Sequence, residues 1–103
     1  MSFVLRKLPA AEADELQAAL WYDEQEPGLG DEFLEQVDAA IRSLETNALM
    51  YRIRFDGVRR APVRRFPAYG VFYVIDGNIV KIISIFHGSR HPRWLRGRRK
   101  RLG

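Results

Sequence analysis

No cysteine occurs in the 103 residues, so neither a disulfide framework nor a thiolate metal site is open to this chain. Histidine is nearly as scarce, with only His87 and His91. Two imidazoles with no carboxylates at ligand spacing make no metal set, and neither a metal nor a cofactor is expected. Long apolar runs are missing too. The opening MSFVLRKLPA is too short for a signal peptide, and nothing approaches the roughly 20 apolar residues of a membrane-crossing helix. A soluble cytoplasmic protein with no membrane association is therefore expected. A glycine-rich phosphate loop and a nucleophile elbow are also absent, which excludes the commonest nucleotide hydrolases and serine esterases.

What is scarce in one half is abundant in the other. Residues 1–51 hold three basic side chains (Arg6, Lys7, Arg42) against eleven acids, a balance of −8. Residues 52–103 hold fourteen basic side chains against Asp56 and Asp76, a balance of +12. In one small domain this division predicts an acidic side and a basic side that faces an anionic partner.

A chain of this length, 47% hydrophobic, can bury one core and not two. Residues 1–96 are read as a single domain, and 97–103 as a flexible basic tail without apolar periodicity. Ser2 to Leu8 alternates as a short strand up to Pro9, which can open a helix. From Ala10 to Glu26 the pattern is helical, and Ala13, Leu16, Leu20 and Trp21 form the predicted core stripe. Pro27 and Gly28 end that helix, and a second starts near Asp31 with Phe33, Val37, Ala40, Ile41 and Leu44 on one face. Two amphipathic helices with so short a link predict an antiparallel hairpin. VRRAPVRRF (58–66) reads as one or two edge strands broken by Pro62. GVFYVIDGNIVKIISIF (70–86) is two central strands flanking the tight turn Asp76-Gly77-Asn78, apolar enough to be covered on both faces. The expected fold class is α+β: an N-terminal strand, a helical hairpin, then a three- to four-stranded, mainly antiparallel sheet.

Chemistry concentrates after the last strand, in IFHGSRHPRWL (85–95). Arg59, Arg60, Arg64 and Arg65 belong to the strand region that should approach it. These four, with Arg90, Arg93 and Trp94, form the predicted anion-binding or target-binding set, because guanidinium forks match phosphate and carboxylate. His87 is the strongest candidate for proton transfer, since an imidazole titrates near neutrality. A structural role at the strand end is the competing reading.

The whole chain, over residues 3 to 95, resembles the RelE/ParE superfamily of toxins from type II toxin-antitoxin systems. The resemblance rests on ALWYDEQEPGLGDEFLEQV, VRRAPVRRFPAYGVFYVIDGNIVKIISIFHGSR and HPRW in that order. It implies a small sheet covered by a helical hairpin, a cognate antitoxin, possible toxin-antitoxin hetero-oligomers, and growth inhibition by one of two routes. RelE-like members cut mRNA on the ribosome; ParE-like members, a plasmid-stabilisation branch, poison DNA gyrase. RelE-like ribonucleases place an arginine where this chain has Gly70 and often a tyrosine near the C-terminus, which is missing after Trp94. Arg65 and Arg90 fall at family basic positions and His87 near a position where some members carry an active-site histidine. These three would be catalytic in a metal-independent ribonuclease. The departures favour the ParE-like reading, in which the toxin needs no catalytic set; a non-toxic antitoxin-binding or regulatory domain is the third alternative.

Overall fold

The computed structural model describes residues 2–88 and 92–101. The elements run β1 (Val4–Lys7), α1 (Pro9–Gln25), α2 (Leu29–Asn47), β2 (Ile53–Phe55), β3 (Val58–Pro62), β4 (Tyr69–Asp76), β5 (Ile79–His87) and α3 (Pro92–Arg101). The five strands form one sheet in the order β1-β5-β4-β3-β2. All neighbours are antiparallel except β1, which pairs parallel with the first half of β5, from Val4 opposite Ile79 to Lys7 opposite Ile82. This is the α+β arrangement expected from the pattern, with β4 at the centre.

Both sheet faces are covered, which explains the nearly unbroken apolar run of β4 and β5. The α1/α2 hairpin packs on one face, with Val37 and Leu44 of α2 set against Phe3, Val71, Tyr73, Val80, Ile82 and Ile85. On the other face Val58, Phe72, Val74, Ile83 and Phe86 surround Leu95 of α3. Strict alternation would put Ile83 and Ile85 on the same side. The pairing shifts between Phe72 and Tyr73, which face Ser84 and Ile82 and leave Ile83 as an extra residue. That bulge resets the alternation, so Ile82 and Ile85 meet the hairpin while Ile83 and Phe86 meet α3.

The second helix follows its predicted face: Phe33, Val37, Ile41 and Leu44 are buried. The first does not. Leu16, Leu20 and Trp21 are 52%, 66% and 53% exposed, and Ala13 is exposed beside them. Its inner face is instead Ala11, Glu15, Ala18 and Ala19. The reason is close approach. A Cβ on Gly30 of α2 would strike the Ala19 carbonyl and the Asp23 carboxylate, and the Gly30 N–H donates to Asp23 Oδ1 at 2.8 Å. Two helices this near each other, above a sheet, leave room for alanine and not for leucine. Glu15 is tolerated inside because Lys7 Nζ of β1 lies 2.7 Å from its Oε2.

Four further features differ from the sequence reading. Gly28, at φ +90°, turns the chain directly into α2 at Leu29 rather than near Asp31. Strand β2 ends the short alternating run YRIRF (51–55), which the sequence reading did not include among the strands. β3 lies inside the sheet rather than at its edge, with Pro62 as its last residue opposite Gly70. Residues 97–101, expected to begin a flexible tail, continue α3.

Candidate anion-binding groove

The consecutive arginines of β3 must point to opposite faces of a pleated sheet. Arg59 pairs with Tyr73 and turns toward the hairpin side. Its Nη1 donates to the Tyr51 carbonyl at 2.5 Å and more weakly to Leu49 at 3.4 Å, closing the chain between α2 and β2. Arg60 pairs with Phe72 and turns the other way.

On that second face Arg60 joins three arginines the sequence analysis had not singled out. Arg52 and Arg54 come from the approach to β2 and from β2 itself, and Arg96 comes from α3. With Phe55, Phe72, Phe86, Gly88 and Leu95 they line a groove of about 340 Å³. Among the described residues its wall contains no carboxylate. The pairing of β2 with β3 shifts between Ile53 and Phe55, and adjacent Arg54 and Phe55 both reach the groove. The signal that could have found Arg52 and Arg54 is their spacing of two, which keeps side chains on one side of an extended chain.

Gly70 decides how Arg60 lies. A Cβ at this position would strike Arg60 Nε, with Cγ and Cζ only 2.8 and 2.9 Å away. The bare backbone of β4 therefore lets the arginine lie flat across it. Its Nη2 then donates to the carbonyls of Pro67 (3.2 Å) and Tyr69 (3.0 Å), and its guanidinium sits 6.0 Å from the Phe72 ring centre. Burial and then the charge of Arg54 lower the Arg60 pKa from its ordinary value. Both effects disfavour the charged guanidinium, and an anion bound beside it would oppose them. Across the groove, Arg96 lies 4.9 Å over the Phe55 ring, while Phe72 and Phe86 stack at 4.7 Å beneath the floor.

The other predicted residues lie elsewhere. Arg64 is exposed in the turn after β3. Arg65 in the same turn has φ +72°, a left-handed conformation that costs a non-glycine residue about 1 kcal/mol, and its Nη2 is 3.4 Å from Glu32 of α2. His87 lies on the hairpin side, opposite Tyr69 in the β4/β5 ladder, with ring centres 5.4 Å apart in an edge-on contact. There it lines a second groove with Asp14, Trp21, Tyr22, Tyr69 and Arg98. Burial, and secondarily Tyr69, raise the Tyr22 pKa. Arg90 and His91 fall outside the described residues, as do the side chains of Arg93 and Trp94. Among the described residues no cluster of potential metal ligands occurs, and no helix is long and apolar enough to cross a membrane.

A sheet with a hairpin on one face and a guanidinium groove on the other can be compared with known proteins. The family profile described as the ParE toxin of the type II toxin-antitoxin system, parDE, matches residues 5–92. The chain belongs to the ParE toxin family. Among solved structures it is similar to a chain of the chromosomal ParDE toxin-antitoxin system from P. aeruginosa, with a TM-score of 0.74 and 17% identity over 84% of this chain and 96% of that one. At that identity the likeness speaks for the fold. No curated protein matches the chain. Membership in the ParE family implies an antitoxin partner. The resemblance seen in the residues and the family match therefore agree.

Proposed function

We propose that this chain is the growth-inhibiting toxin of its pair, that it binds DNA gyrase or a gyrase-DNA complex stoichiometrically through the basic groove, and that a cognate antitoxin neutralises it in the cytoplasm. The observation carrying this reading is the chemistry of the groove wall. It offers four guanidiniums and three phenyl rings, which can hold an anion but cannot exchange a proton near neutral pH. The imidazole of His87 lies on the opposite side of the sheet. A surface that binds without acid-base groups suits a poison that traps its target better than one that cuts it. Purified toxin should inhibit gyrase in a supercoiling assay, and Arg54→Glu should relieve the inhibition. Gyrase that supercoils normally in toxin excess overturns the reading.

The ribonuclease alternative draws on the second groove, where His87, Tyr69 and Arg98 share a wall. Cleavage needs a base for the 2′-hydroxyl, an acid for the leaving oxygen and a cation for the phosphorane. Primer extension on translating ribosomes tests it: cut messages that become intact with His87→Gln would favour this reading over the first.

A further inference from the structure

We infer that the groove between β2, β3 and α3 binds single-stranded nucleic acid directly, by its phosphodiester chain. The inference rests on the reading of this groove as the toxin's working surface and names what the surface takes. Arg52, Arg54, Arg60 and Arg96 come from three separate parts of the fold, and no carboxylate among the described residues of the wall answers them. One phosphate would leave most of that charge uncompensated. A chain of phosphates would not.

Shape narrows the ligand further. A recess of about 340 Å³ has room for a nucleotide, whereas a duplex cannot enter it. Arg96 spread 4.9 Å over Phe55 gives a flat cationic surface on which an unpaired base can stack. The carboxylates of an acidic peptide would satisfy the guanidiniums but have no flat ring to lay on that surface, whereas every nucleotide carries both groups. Arg60 is already fixed by the Pro67 and Tyr69 carbonyls and by the space above Gly70, so it spends little conformational entropy on binding. The remaining donors of its fork, and the exposed Arg52 and Arg54, are the contacts left for phosphate oxygens. The described wall holds no side chain that accepts a hydrogen bond from a 2′-hydroxyl, and its guanidiniums are engaged by phosphate oxygens, so DNA and RNA should bind alike.

The test is fluorescence anisotropy of a labelled single-stranded 12-mer titrated with the full chain over a range of salt. Three to four phosphate contacts predict a slope of log K against log salt of about −2 to −3. The Arg52→Ala/Arg54→Ala pair, both at exposed positions, should weaken binding at least about tenfold and flatten the slope by about 1.4. Arg42→Ala, on the outer side of α2, should change neither. An RNA copy should bind within about threefold of the DNA. Absence of binding, an unchanged double variant, equal binding of the matching duplex, or displacement by polyglutamate as efficient as by an unlabelled oligonucleotide would each overturn the inference. Gyrase inhibition without oligonucleotide binding would sink this inference alone, and oligonucleotide binding with unaffected gyrase would sink the gyrase reading alone.

Discussion

Arg98 Nη1 lies 2.6 Å from Asp14 Oδ2 although 84 positions separate the two residues in the chain. The same oxygen accepts from Ser84 Oγ at 2.9 Å and from the Ile85 N–H at 3.2 Å, and Arg98 also donates to the Ile83 carbonyl at 3.2 Å. β1 ends opposite Ile82, so the second half of β5 has no strand on that side. One carboxylate from α1 and one guanidinium from α3 serve its edge instead, and in doing so they tie the outer helix to the inner one. With the buried Leu95, that tie is the contact that seats α3 and so places Arg96 at the groove.

Both partners are about 15% exposed, and removing one leaves the other charged and largely out of water. Asp14→Ala should therefore destabilise the protein by about 3 kcal/mol, whereas Asp14→Ala combined with Arg98→Met should cost less than the sum of the single changes by about 1–3 kcal/mol. Urea unfolding of the four proteins measures this coupling. Strict additivity would show that α3 is held by Leu95 and not by the ion pair.

Gly70 tests the groove from beneath. The glycine looked like a departure from a ribonuclease pattern; in the fold it is the vacancy Arg60 occupies. Gly70→Ala should cost about 1–3 kcal/mol by forcing the guanidinium off the Pro67 and Tyr69 carbonyls. On an Arg60→Ala background the same methyl meets no arginine, and the cost should fall below about 1 kcal/mol. Equal costs on both backgrounds would mean that Gly70 serves the strand rather than the arginine.

Most of the fold was readable because apolar spacing and turn residues agree with it, and the misreadings have physical causes. α2 presents large side chains inward, so its face stood out. α1 presents alanines inward and Leu16, Leu20 and Trp21 outward, because Gly30 brings the helices too close for anything larger. Any reading that ranks faces by hydrophobicity picks the wrong side of such a helix. The arginines of the site were visible as residues but not as a set. Arg59 and Arg60 are adjacent and so must diverge across the sheet, while Arg52 and Arg54 alternate with Tyr51, Ile53 and Phe55 in a run of only five residues, with Ile53 exposed, too short to announce a strand. Arg96 joins them because Leu95 and Arg98 dock α3 on the sheet, contacts across much of the chain that no local pattern encodes.

The inverted helix makes its own prediction. Leu16→Ser and Leu20→Ser, at exposed positions, should each change stability by no more than about 0.5 kcal/mol. Ala18→Leu or Ala19→Leu, at smaller and buried positions, should cost about 1–3 kcal/mol by overpacking against α2 and the sheet. Thermal melts of the four variants suffice. A large loss from the outer leucines would mean that this face is covered in solution.

Tyr73 gives the stability a dependence on alkaline pH. Its ring is fully buried at the centre of the sheet, and its hydroxyl donates to the Ala48 carbonyl at 2.6 Å, closing the end of α2 onto β4. Burial pushes its pKa up to about 12, with the Arg59 charge opposing and Tyr51 adding to the rise. The phenol is then protonated in the folded chain while it ionises near 10 in the unfolded one. Between those values the unfolded state binds fewer protons, so stability falls as pH rises, by about 3 kcal/mol across the window for this group alone. Below about pH 10 the contribution is complete and constant. Tyr73→Phe should cost about 1–2 kcal/mol at neutral pH, because Ala48 loses its donor, yet it should remove this part of the decline between pH 10 and 12. Urea midpoints of both proteins at pH 8, 10 and 11.5 decide the matter: parallel losses in the two would show that Tyr73 does not carry the alkaline dependence.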